Sequence, residues 1–207
     1  MMITLFVVSI LVSLAGTSFG TFMANNRMAL AVNDINSVIH LARTEAIKRN
    51  ASVSICASTS YYDASPDCDD GATFDDGWIM FIDAVDGNAA NLKVDNGDKI
   101  IKGHGPASDD LILSVADASN PLSSRQFVSF QPSGYPYKSI GGKAAVVNFQ
   151  ICDSRGDKDT GGGIAAGRWV TITPTGRPQM HREKDAVEHK NNPNGGCGEK
   201  ESEPEVA

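Results

Sequence analysis

The chain has 207 residues, 41% apolar and 21% charged, which is enough apolar matter for a core and too much for a wholly disordered chain. A formal charge of −7 excludes a generally basic nucleic-acid binder, and four cysteines are too few for a disulfide-dense miniprotein. Twenty glycines and nine prolines argue for many turns and short strands over a helical bundle.

The N-terminal stretch is the most one-sided part of the chain. No charged residue occurs between Met1 and Asn26, and Met1 to Met23 is dominated by Ile, Leu, Val, Phe and Met. As a helix this stretch rises about 35 Å, against the ~30 Å of a bilayer's hydrocarbon core, so residues 1–26 are expected to span a membrane. A cleaved signal peptide is the rival, but it wants a basic start, and the first basic residue here is Arg27. Gly16-x-x-x-Gly20 offers either a small-residue face for helix packing or an incidental glycine pair.

Past Asn26 the apolar residues Met28, Val32, Ile35, Ile39, Ala42 and Ala46 recur every three or four positions, the stripe of an amphipathic helix. Residues 27–50 therefore continue the first segment, giving one helix of roughly 48 residues with no flexible linker inside it. From Ala51 short β-branched and aromatic runs take over. Strands are expected at Val53–Cys56, Trp78–Ile82, Lys99–Lys102, Leu111–Val115, Phe127–Phe130, Ala145–Ile151 and Trp169–Thr173. Partial alternation at Phe127–Phe130 and Val170–Thr173 suggests a half-solvated sheet. A long helix on antiparallel sheets is an α+β architecture, with residues 51–177 as its β-rich domain. After Pro178 periodicity is lost. Residues 178–207 read as a tail with an acidic, disordered end from Glu199.

Motifs for chemistry are few. Asp83, Asp86, Asn88, Asp95, Asn96 and Asp98 do not follow the alternate-residue spacing of an EF-hand loop and read as a solvated turn. Gly161-Gly162-Gly163 lacks the Lys-Ser/Thr of a phosphate loop and reads as a flexible hairpin connection. His40, His104, His181 and His189 are scattered, with no nucleophile signature and no zinc-protease motif. Neither an enzyme, a metal site nor a cofactor is expected.

Five fragments occur in a telling order: Asn25-Asn26-Arg27; Ala42-Arg43-Thr44-Glu45-Ala46-Ile47-Lys48-Arg49; Gly77-Trp78-Ile79-Met80-Phe81-Ile82-Asp83; Cys152-Asp153-Ser154-Arg155-Gly156; and Thr175-Gly176-Arg177. In this order the chain resembles the FimT/FimU minor pilins of type IV pili, which share a domain with the H-type pseudopilin of type II secretion. The resemblance covers about residues 1–178. It implies a pilin-like fold and a single-pass inner-membrane subunit with a periplasmic domain. It also implies assembly with other minor pilins or pseudopilins and the major pilin into a priming or tip complex, without enzymatic activity. Family members begin with a basic leader and Gly-Phe-Thr-Leu-Ile-Glu, cut by a prepilin peptidase. Met2-Ile3-Thr4-Leu5 resembles the residues that come directly after that hexapeptide, so the expectation is a true start upstream. Thr17 stands where these helices usually carry Pro, a more disruptive residue.

A periplasmic domain favours disulfides, and no Cys pair has zinc-ligand spacing. Of three possible connectivities the expected one is Cys56–Cys68, stapling a local loop, with Cys152–Cys197 pinning the tail; four free thiols are the alternative. DNA-uptake members of the resembled family carry Gly-Arg-x-Arg near the C-terminus. Gly176-Arg177-Pro178-Gln179 keeps only the first Arg, and Arg182 and Lys184 follow among Glu183, Asp185 and Glu188. Alternating signs cancel within a Debye length of about 8 Å, so DNA binding through Arg177, Arg182 and Lys184 is the alternative function and not the expected one.

Overall fold

The computed structural model describes residues 2–83, 90–95, 97–108, 110–118 and 126–198, with side chains described from residue 19 onward. Helix α1 runs over Met2–Arg49, 48 residues without a proline. It ends in a Schellman turn: Asn50 takes φ 50°, its N–H donates to Ile47 O, and the Ala51 N–H reaches Ala46 O. Lys48 and Arg49 place positive charge in the last turn, where the helix dipole favours it.

Two four-stranded antiparallel sheets follow. The first contains β1 (Val53–Ala57), β2 (Trp78–Ile82), β3 (Lys99–His104) and β5 (Phe127–Phe130), in the order β3-β2-β1-β5. The second contains β4 (Leu111–Ala116), β8 (Asn148–Asp153), β9 (Ile164–Ile172) and β10 (Pro178–Glu183), in the order β10-β9-β8-β4. A small hairpin, β6 (Ser139–Ile140) and β7 (Lys143–Ala144), stands beside the first sheet, and a short helix α2 (Lys184–Val187) follows β10. Residues 145–147 cross between the sheets: the Val146 N–H bonds to Phe127 O and the Val147 N–H to Ala116 O.

Of the expected stripe of α1, Met28, Val32, Ile39, Ala42 and Ala46 are buried against both sheets at once, and Ile35 is partly buried at the edge of the same core. The first sheet contributes Val53, Ile55, Trp78, Met80, Val128 and Phe130; the second contributes Val115, Phe149, Ile151, Val170 and Ile172. The helix is thus the shared core of both sheets, which makes this an α+β fold. The first sheet is buried on its other face as well, where Cys56, Ile79, Phe81 and Phe127 meet Cys68, Leu92 and Ile140. That double burial explains why Trp78–Ile82 is an unbroken apolar run.

The structure corrects the sequence at three places. Phe127–Phe130, expected to be half-solvated, is wholly buried, because Ser129 faces a polar cluster and not water. Asp83, expected in a solvated turn, is fully buried: Oδ2 accepts from Ser54 Oγ (2.7 Å) and the Leu92 N–H (3.1 Å), and Oδ1 from the Asn91 N–H (2.8 Å). Asp86, Asn88 and Asn96 of that loop lie outside the described residues. Third, the expected tail begins with a strand. Pro178–Glu183 pairs with β9 from Pro178↔Ile172 onward, and Pro is tolerated as the first residue of an edge strand. The acidic end from Glu199 lies outside the described residues.

Burial pushes the Asp83 carboxyl above the usual aspartate range, against the lowering effect of its hydrogen bonds. The folded chain therefore holds this proton at pH values where the unfolded chain has lost it. Stability from this group is greatest below the unfolded value and falls as pH rises to the folded one. Denaturant titrations on raising the pH from about 4 should show that decline weakened in Asp83→Asn; parallel wild-type and variant curves would contradict it.

Candidate functional site

The candidate site is the helix α1 and the contacts that fix it to the domain, because the five sequence fragments converge there. At its lower end, Arg155 donates from Nη1 to Asn25 Oδ1 (2.7 Å). The guanidinium is itself held by Asp153, with Nε 3.1 and 3.0 Å from the two carboxylate oxygens and Nη2 2.5 Å from Oδ2. Asp153 and Arg155 flank the turn after β8, closed by the Gly156 N–H on Asp153 O, with Gly156 at φ 62°. Two residues further along α1, Arg27 pairs with Asp110 just before β4. The motif Cys152 to Gly156 is thus a bracket for Asn25, the point at which the helix leaves the domain.

At the upper end, Arg43 donates from Nε to Gly134 O (3.1 Å). Gly134 (φ 79°) and Gly176 (φ 78°) both lie under this part of the helix. A Cβ on Gly134 would come within 2.6 Å of Ile47 Cδ1, and one on Gly176 within 2.7 Å of Gly134 O. Thr175-Gly176-Arg177 therefore forms a turn that only glycine lets slide beneath α1. The turn is closed by the Gly176 N–H on Thr173 O and by the Arg177 N–H on Thr173 Oγ1. Asn25 and Arg155 are separated by 130 positions. The sequence offers Asn25, Asp153 and Arg155 only as members of separate fragments, and nothing in it points to Asn25 as the partner of Arg155, to Asp110 as that of Arg27 or to Gly134 as that of Arg43.

The structure pairs Cys56 with Cys68 and Cys152 with Cys197, each with Cα atoms 5.5 Å apart. The first bridge closes a loop over the outer face of the first sheet, where Tyr61 packs against Gly77 and Gly105. The second holds residues 184–198 over the outer face of the second sheet. There Val187 is buried against Ala165 and Trp169, and Asn192 donates to Gln150 Oε1 (2.5 Å) and Val187 O (2.8 Å). Asp157, almost fully buried, accepts the Cys197 and Gly198 N–H groups on Oδ2 (2.6 and 3.1 Å). Burial pushes its carboxyl upward. Burial, then the nearby Arg155 and Arg182, pulls the Arg168 guanidinium below its usual range.

The remaining sequence candidates fall apart from one another. Gly20 is on open surface, and Gly16 lies outside the described side chains. Arg177 is exposed at the turn, Arg182 lies 3.8 Å from Glu183, and Lys184 lies 3.4 Å from Glu188. Among the described residues, no three His, Cys, Asp or Glu side chains are placed to hold a metal ion. Among them, too, no helix is long and apolar enough to cross a membrane, and most of the expected span, residues 1–18, lies outside the described side chains.

The part of the helix that cores two antiparallel sheets, with its seat on both of them, falls almost wholly within the span of a family match that places the chain in the pilin and pseudopilin class. The chain belongs to the family of the type II transport protein GspH, whose profile matches residues 31–181. It is similar to the type IV minor pilin FimU of Pseudomonas aeruginosa in two crystal forms. One, in space group P21, is 19% identical with a TM-score of 0.42 and covers 77% of this chain and 92% of that one. The other, in P65, is 18% identical with a TM-score of 0.38 and covers 74% and 91%. Comparison with curated proteins returned no match.

Two outcomes are expected at the site. Gly141→Ala, at φ 57° in open space, should cost about 1 kcal/mol from left-handed strain alone. Gly176→Ala adds a backbone clash and should lower the denaturation free energy by about 3 kcal/mol; equal losses would remove the helix-seat role. Replacing Cys152 and Cys197 together with Ser should cost about 2–4 kcal/mol. Faster hydrogen exchange should be confined to residues 184–198 and the strands beneath them.

Proposed function

We infer that this chain is a non-catalytic minor pilin or pseudopilin, a subunit of the priming or tip complex of a type IV pilus or a type II secretion pseudopilus. Residues 1–26 hold it in the inner membrane, residues 27–50 tie that span to the periplasmic domain, and the domain faces other minor subunits and the major pilin. The observation that carries this reading is the bracket at Asn25. A helix whose domain-facing half is gripped at Asn25 and at Arg43 moves with the domain as one rod, and its uncharged N-terminal half continues past the grip. In lipid that end is stable alone, because its backbone is internally paired. In a fibre the same side chains escape water only by packing on neighbouring helices. The Gly16/Gly20 face would let two such helices approach closely. A prepilin peptidase would process the chain where an upstream leader is present.

DNA uptake through Arg177, Arg182 and Lys184 is the second reading. It is weakened by the carboxylates beside two of the three cations, since a phosphate-binding stripe needs uncompensated charge. Arg177, exposed on its turn, is what keeps it testable.

Expressed with its native upstream region, the protein should sediment with membranes through a high-salt wash and appear in sheared filaments. Recovery as a freely soluble periplasmic protein, absent from filaments, would overturn the assignment. Submicromolar, salt-sensitive binding to duplex DNA that is lost in Arg177→Ala would move the second reading to first place.

A further inference from the structure

The two oxygens of the almost fully buried Asp157 carboxyl have unlike surroundings. Oδ2 accepts the Cys197 and Gly198 N–H groups, at 2.6 and 3.1 Å. Oδ1 is buried and has no hydrogen-bond partner among the described residues. An unpaired acceptor in the interior is costly, and a role in chemistry is one physical reason for a fold to keep it.

Gly167 shows what this oxygen faces. A Cβ there would lie 2.5 Å from Cys197 Sγ and 2.7 Å from Asp157 Oδ1, so sulfur and oxygen border one gap that any side chain on β9 would fill. Gln150 closes another side of it. Its Nε2 donates to Arg168 O (3.0 Å) and to Cys197 Sγ (3.2 Å), while Oε1 accepts from Asn192 Nδ2 (2.5 Å). Cys197 Sγ therefore has an amide donor, which favours a thiolate, and a carboxyl within proton-transfer reach, directly or through one water. Burial keeps the Asp157 proton affinity above the usual aspartate range; of the charged groups facing it, Glu188 adds to this and Lys184 opposes it. A carboxylate shifted in that direction is a better base for a thiol. The other bridge is packed differently: Cys56 and Cys68 lie among Ile79, Phe81, Leu92 and Phe127.

We propose that Asp157 is the proton acceptor through which the Cys152–Cys197 bridge closes, and the donor through which it opens. Ile151 points into the core, so Cys152, next along β8, lies on the outer face of the second sheet. Before residues 184–198 dock, its thiolate can attack an external disulfide such as oxidised glutathione. A mixed disulfide forms, and the glutathione thiolate that leaves takes a proton from water. When the tail docks, Oδ2 holds the Cys197 main chain and Cys197 Sγ–H passes its proton to Oδ1. The new thiolate attacks Cys152 Sγ, the bond from Cys152 to glutathione breaks, and the second glutathione thiolate is protonated by water. Two protein thiols are oxidised and one external disulfide is reduced to two thiols. Opening runs the same steps backwards, with Oδ1 returning its proton to the departing Cys197 sulfur. This chemistry belongs to the making of the subunit and does not depend on what the subunit later joins.

The test follows both bridges of the full chain in one sample of mixed reduced and oxidised glutathione, by acid quench, alkylation and peptide mapping. At about pH 6.5, Asp157→Asn, which keeps the side chain's size, should slow both closing and opening of Cys152–Cys197 by about tenfold or more, with the Cys56–Cys68 rates unchanged. Loss of a residue that only braced the tail would speed opening, so unchanged or faster opening overturns the proposal. The wild-type chain gives a second reading that needs no variant. As pH falls from about 8, closing of Cys56–Cys68 should slow about tenfold per unit with the loss of its thiolate. Closing of Cys152–Cys197 should slow by about threefold or less per unit until Asp157 takes up its proton. Parallel profiles for the two bridges refute the proposal even if the variant fails to fold and slows both bridges alike.

Discussion

Burial of one helical stripe against two sheets at once is the constraint on which the rest of the structure depends. Through Met28, Val32, Ile39, Ala42 and Ala46, residues Val53, Ile55 and Met80 of one sheet share a core with Phe149, Ile151 and Val170 of the other. Two of the six stripe positions are alanine, which lets the strands come close to the helix axis. Take the helix away and each sheet has an apolar face and no partner for it. The domain is thus not a globule with a helix attached. It is a pair of sheets wrapped on a rod, and the rod's orientation is fixed wherever the sheets are folded.

The two grips on the domain-facing half of the rod stem from the same constraint. Hydrophobic burial is non-directional, so the stripe alone would tolerate sliding and rolling of α1. Directional contacts remove that freedom: the charge-assisted bond from Arg155 to Asn25 below, and the Arg43 bond to Gly134 O above, where a Cβ on Gly176 would strike Gly134 O. The part of the helix beyond Asn25 is then aimed, and a subunit whose projecting end is aimed can add to a regular polymer.

Much of this was legible in the sequence because it is periodic. The three-to-four spacing from Met28 to Ala46 marked the helix and its buried face, and the unbroken run Trp78–Ile82 marked a strand, which the structure covers on both faces. Features that depended on distant partners were not legible. The strand Pro178–Glu183 has no alternation to mark it in the sequence; it is held by main-chain pairing to β9 and by His181 stacked on Trp169, centroids 4.4 Å apart. Asp83 looks like any turn aspartate until Ser54, from 29 positions away, supplies its donor. The same holds for Asn25 and Arg155, whose fragments could be recognised as a set although neither reveals that it touches the other.

The two disulfides impose an order in time. Cys56 and Cys68 are 12 residues apart, so a chain emerging N-terminus first can close that bridge while most of its strands are still unmade. Cys152 must wait for Cys197, 45 positions later. Until then, the outer surface of the second sheet has no cover. The later bond therefore certifies that synthesis has passed residue 197, and a product cut short before it would carry an unmatched thiol for quality-control thiol chemistry to find.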